Sequence, residues 1–148
     1  MVEATEAIDR TPVRILLVED NPADVRMTRE ALKLAKIDHE LHVVGDGEQA
    51  LAFLKRQGPF REAPVPDLVL LDLSIPRISG HGVLEELRSG RAERRFPVVV
   101  LTGSKLSEDI ERSFALDADE HITKPAGLLH YASELMFAVG LVRPRPAV

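Results

Sequence analysis

Apolar side chains along this chain gather in short blocks of two kinds. Three are nearly continuous runs of Val, Ile and Leu: VRILLV (13–18), DLVLLDL (67–73) and FPVVVLT (96–102). Such runs suit strands buried on both faces of a parallel sheet, although periodicity alone does not separate them from buried helix. HELHVV (39–44) and EHIT (120–123) alternate more and read as outer strands. Between these blocks the apolar spacing becomes helical. Asn21-Pro22 opens a helix to about Lys36, with Pro22 in the first turn, where its missing N–H is harmless. Ala50, Leu51 and Leu54 mark a second behind Asp46 as cap, and Val83, Leu84 and Leu87 a third. A fourth follows Ser107, with Glu108 and Asp109 at the positive end of its dipole and a thin apolar face of Ile110 and Phe114. The fifth spans about Leu128 to Leu141. Its spacing predicts Leu128, Ala132, Leu135, Val139 and Val142 against the sheet, with Phe137 and Leu141 on the opposite side. RQGPFREAPVP (56–66), with three prolines, reads as an ordered surface excursion.

Strands alternating with helices predict an α/β chain, a (βα)5 doubly wound parallel sheet. Right-handed crossovers then bring the C-terminal ends of the strands to one edge. The polar residues at those ends form a set: Glu19-Asp20 after the first strand, Asp72 in the third, Thr102 in the fourth, Lys124-Pro125 after the fifth. Asp72 interrupts an apolar run, where a buried unpaired charge is costly. In the flavodoxin-like strand order 2-1-3-4-5 the first and third strands are neighbours about 4.8 Å apart, so Asp20 and Asp72 are predicted to lie close together. Adjacent carboxylates repel unless one is protonated or a cation binds, and with no soft ligand available the fitting cation is Mg²⁺. With Mg²⁺ and the Lys124 ammonium neutralising a phosphoryl group, the Asp72 carboxylate can act as a nucleophile and form an acyl phosphate. Thr102 can donate its hydroxyl to a phosphoryl oxygen.

Composition narrows the classes. A chain of 148 residues makes one ordinary domain, predicted over 13–142 between a flexible segment, 1–12, and a tail, 143–148. With 19 basic against 24 acidic residues, it lacks the basic excess that direct nucleic-acid binding exploits. The absence of cysteine excludes disulfides and thiolate metal sites. No signal peptide or membrane span is read, and a cytoplasmic location is expected. His39, His42, His81 and His130 show no ligand spacing and read as surface residues.

The set LLVEDNPAD, LLDLSIPRISG, VVVLTGS and HITKP resembles the receiver domain of two-component response regulators, from about Val13 to Val139. VEDNPADVRMTREAL, the excursion GPFREAPVPDL and LLDLSIPR are similar to stand-alone single-domain regulators paired with bacterial phytochromes. The resemblance implies Asp72 as phosphoacceptor, Asp20 as direct Mg²⁺ ligand, Glu19 as an acidic partner acting directly or through water, and Ser74 as a backbone-carbonyl ligand. It implies phosphoryl-sensing roles for Thr102 and Lys124 and a cis bond before Pro125. His121 stands where the family usually has a Tyr or Phe that swings inward. Asp117 stands where a Gly commonly ends the preceding helix, and Asp tolerates left-handed geometry better than most residues. Implied partners are a histidine kinase such as a phytochrome, or a phosphotransfer protein, and a downstream protein, without nucleic acid or membrane. Self-association is expected through the face of helix 4, strand 5 and helix 5, with Phe137 and Leu141 at the interface.

Other classes are less well served. A flavin-binding carrier needs a hydroxyl- and glycine-rich phosphate loop after the first strand, where this chain has Glu19 and Asp20. An aspartyl-phosphate phosphohydrolase needs a substrate cap, and none is visible. A pseudo-receiver that binds partners without phosphorylation does not need the full acidic and lysine set. The expectation is a phosphoacceptor, and not an enzyme acting on other substrates.

Overall fold

The computed structural model describes residues 11–89, 95–103, 107–124 and 127–142. Ser104, Pro125 with its expected cis bond, both terminal segments up to residue 10 and from 143, and the side chain of Val142 lie outside the described residues. The strands are β1 (Val13–Val18), β2 (His39–Val44), β3 (Leu68–Asp72), β4 (Val98–Thr102) and β5 (Glu120–Thr123). The helices are α1 (Pro22–Leu34), α2 (Gly47–Leu54), α3 (Gly80–Leu87), α4 (Ser107–Ala115) and α5 (Leu128–Val142). All four strand pairings are parallel and the order is β2-β1-β3-β4-β5. This is the predicted flavodoxin-like sheet, and the two alternating segments form its edges.

The continuous apolar runs follow from a sheet covered on both faces. Leu16, Val18, Val69, Leu71, Val98 and Val100 point to one face, where Ala50, Phe53 and Leu54 of α2 and Val83, Leu84 and Leu87 of α3 close over them. Ile15, Leu17, Leu68, Leu70, Val99 and Leu101 point to the other, beneath α1 and α5. The 56–66 excursion is ordered as expected: a 3₁₀ turn at Gly58–Phe60 sets the Phe60 ring 5.4 Å from that of Phe53, and Ala63 and Val65 pack on the same core.

Local signals act where the sequence put them. Asn21 caps α1 by accepting from the Ala23 and Asp24 N–H groups, and Asp46 caps α2 by accepting from Gln49. Asp117 takes φ 67° after α4, while the N–H groups of Asp117 and Ala118 close onto Phe114 and Ser113, a left-handed helix stop.

Two expectations change. His81 is buried, not on the surface: its Nε2 lies 3.3 Å from the Asp109 carbonyl and 3.4 Å from Ser113 Oγ, a polar tie between α3 and α4. The inward stripe of α5 is rotated from its predicted phase. Leu128 is exposed, whereas Tyr131 and Ala138 join Ala132, Leu135 and Val139 inside. Among the described residues no helix is long and apolar enough to cross a membrane.

Candidate functional site

Register decides which side chains meet. Val18 pairs with Leu71, Asp72 with Leu101 and Thr102 with Thr123. The residues just beyond Val18 and Thr123 therefore face the same edge as Asp72. The Lys124 N–H extends the ladder one step by donating to the Thr102 carbonyl at 2.7 Å. Glycine makes the closure after β3 possible. A Cβ on Gly80, the first residue of α3, would sit 2.6 Å from Leu73 Cα and 2.7 Å from the Asp72 carbonyl oxygen. Only a residue without a side chain lets α3 start that close to the Asp72 backbone.

Glu19 and Asp72 are each 2 % exposed, whereas Asp20 is solvent-facing. These three acids offer oxygens within 4.8 Å of one another. Lys124 Nζ reaches Asp72 Oδ2 at 2.9 Å, Glu19 Oε1 at 2.9 Å and Asp24 Oδ2 at 2.7 Å. The Ser74 N–H donates to Asp72 Oδ1 at 2.9 Å, and the Asn21 N–H to Glu19 Oε2 at 3.3 Å. Asp24 is the residue the sequence reading missed. Its signal was its place in the first turn of α1, one turn beyond Asp20 on the same strand edge.

Three carboxylates thus contact one ammonium, and with Asp20 beside them the described residues of the cluster carry an excess of three negative charges when all are ionised. The pair Glu19 and Asp72 shares this strain unequally. Burial, and then its hydrogen bond to Asp72, push the Glu19 carboxyl up to about 7. Burial works to raise Asp72 as well, but hydrogen bonds from Glu19, the Ser74 N–H and Lys124 outweigh it and hold Asp72 below its ordinary range. Burial works to lower Lys124, and its bonds to Asp24, Asp72 and Glu19 outweigh that and hold it above its ordinary range.

A hard divalent cation fits this donor set. Glu19 Oε1 is buried and, although 2.9 Å from the ammonium, is off the line of a well-directed hydrogen bond. All donors are oxygens, and the charge excess is what a doubly positive ion relieves. On the α1 side lies a cavity of about 60 Å³ lined by Glu19, Asp24, Met27, Thr28, Lys124 and Tyr131. There the Thr28 and Tyr131 hydroxyls meet at 2.7 Å, joining α1 to α5. Burial pushes the Tyr131 phenol up to about 12.

Thr102 is buried at the end of β4, and Ser74 is exposed two residues beyond Asp72. His121 meets the Phe114 ring edge-on at 5.7 Å, while its Nδ1 is buried with no hydrogen-bond partner among the described residues. Phe137 and Leu141 are exposed, together with Leu129 and Met136 on α5 and Phe114 on α4.

Comparison with known proteins agrees with this geometry. The family model of the response regulator receiver domain matches residues 15–133. Response regulator Rcp1 of Synechocystis sp. is 44% identical over 117 residues, covering 79% of this chain and 80% of that protein. The crystal structure of the phosphorylated cyanobacterial phytochrome response regulator RcpA superposes with a TM-score of 0.79 at 39% identity, covering 89% of this chain and 94% of that one. The Mn²⁺-bound form of Rcp1 does so at 0.78 and 37%, covering 93% and 100%. With its sheet order, its acidic edge and these likenesses, the chain belongs to the response regulator receiver family, with phytochrome response regulators among its relatives.

Proposed function

We propose that this chain is a phosphorylation-controlled signalling module whose phosphoacceptor is Asp72. The observation that carries the reading is a nearly buried carboxylate at the end of a central strand, 2.9 Å from an ammonium and within 4.8 Å of two further acids. An Asp72 oxygen forms a bond to the phosphorus of a phosphohistidine donor as the P–N bond breaks, and the donor imidazole departs with the bonding pair and takes up a proton. Lys124 neutralises a phosphoryl oxygen, and the Thr102 hydroxyl receives another. Glu19, Asp20, Asp72 and the Ser74 carbonyl hold Mg²⁺, which supplies charge neutralisation to the phosphoryl group. The chain acts on itself and on no separate substrate.

The 44% identity to Rcp1 supports a phytochrome-type histidine kinase as the donor. The exposed apolar residues of α5 support self-association through the α4, β5 and α5 face, with Phe137 and Leu141 at its centre. His121, on β5 with its ring against Phe114 of α4, transmits the change. Incubation with a small phosphodonor and Mg²⁺ should add one phosphoryl group, read by intact mass, and Asp72→Asn should abolish it. Unchanged labelling of Asp72→Asn would remove Asp72 from the role. An unlabelled parent would favour a module that works without phosphorylation.

A further inference from the structure

The Lys124 ammonium has three N–H donors, and three carboxylate oxygens stand around it. Two belong to Glu19 and Asp72, members of the cation-binding trio. The third and shortest contact, 2.7 Å, goes to Asp24, which lies outside that trio. Asp24 is the third residue of α1, and its own N–H is fixed by the Asn21 cap, so the carboxylate stands on a rigid helix start. It borders the cavity between α1 and α5.

A phosphoryl group on Asp72 brings about two negative charges and needs the same ammonium. Lys124 already donates to Asp24 and Asp72 and has Glu19 Oε1 2.9 Å away, so a phosphoryl oxygen on Asp72 competes with these carboxylates for the ammonium. A bound cation would engage Glu19 and Asp72, both members of the acidic trio, and not Asp24. Asp24 then remains the rival of the phosphoryl oxygen. From this geometry, and resting on the phosphoacceptor reading of Asp72, we infer that Asp24 is a positioning residue: it holds the Lys124 ammonium toward α1 in the unphosphorylated chain and releases it when Asp72 is phosphorylated. The ion pair is then a resting-state latch. Its strength sets how readily the site accepts a phosphoryl group, and its opening reports occupancy of Asp72 to α1.

The test is equilibrium binding of beryllofluoride, a phosphoryl mimic, at saturating Mg²⁺, followed by fluorine NMR. Circular dichroism checks the fold of each variant. Asp24→Asn removes the rival charge while keeping the shape, and should bind the mimic about threefold to tenfold more tightly than the parent. Asp24→Glu, which keeps the charge, should stay near the parent. Glu48→Gln removes an exposed charge elsewhere on the same edge and should change affinity by less than twofold, as about expected for a screened charge. If Asp24→Asn does not fold, Asp24→Ser makes the same comparison. Equal or weaker binding in the folded Asp24 variant overturns the latch, and so does an equal gain from Glu48→Gln. Parent binding retained in Asp72→Asn would instead defeat the phosphoacceptor reading, and the latch with it.

Discussion

The two edges of the sheet handle charge in opposite ways. At the N-terminal edge of β4 and β5, Arg88 and Arg95 face Asp117 and Asp119, two cations against two anions among the described residues. Arg88 lies 3.2 Å from Asp119, and Arg95 lies 3.2 Å from Asp117 and 2.9 Å from Asp119. Asp119 also accepts the Val98 N–H at 2.7 Å, so the cluster finishes the start of a strand. At the C-terminal edge, among the described residues, three carboxylates contact one lysine with Asp20 beside them, and the two most buried are those whose proton affinities are driven apart. A balanced cluster calls for no further charge. An unbalanced one is completed by something else, and here the missing charge is positive.

This contrast can be broken in three places. Saturating Mg²⁺ should stabilise the unphosphorylated chain by about 2.7 kcal/mol at a hundredfold excess over its dissociation constant, raising the melting temperature. Asp20→Asn should lose most of that gain. A melting temperature unmoved in the parent would mean that the acidic edge is closed by Lys124 alone. Next, Asp119→Ala should cost about 1–3 kcal/mol by leaving the Val98 N–H without its acceptor and Arg88 and Arg95 with Asp117 alone, with the response to Mg²⁺ intact. A loss of Mg²⁺ response there would tie the two edges together. The smallest effect belongs to the third, uncharged region. Phe137→Glu/Leu141→Glu should remain folded and show a weaker association constant in sedimentation, with stability changed by about 0.5 kcal/mol or less. An unaltered constant would take this stripe out of the interface.

Most of the fold was legible because each element was specified by a local rule. Apolar runs marked the central strands, alternation marked the edges, and Asn21, Asp46 and Asp117 acted within a few residues of themselves. The acidic trio was legible because strand order converts distant ends into neighbours. What escaped depended on reach across the fold. Asp24 meets Lys124 a hundred residues away, and nothing in α1 announces that lysine. His81 is buried because α4 supplies a carbonyl and a hydroxyl for its ring, partners the sequence around it does not reveal. The phase of α5 was set by Tyr131, whose phenol finds Thr28 on α1. A simple count of apolar positions favoured Leu128 in its place.

That Tyr131 contact has an optical consequence. The chain contains one tyrosine and no tryptophan. All of its intrinsic phenol emission therefore arises at a single address, the seam between α1 and α5, where the hydroxyl is bonded to Thr28 beside the cavity that Lys124 and Asp24 also line. Such a fluorophore is sensitive to the charges around its hydroxyl, and it needs no label. Ultraviolet emission recorded during a titration would follow that one seam, undiluted by signal from any other part of the molecule.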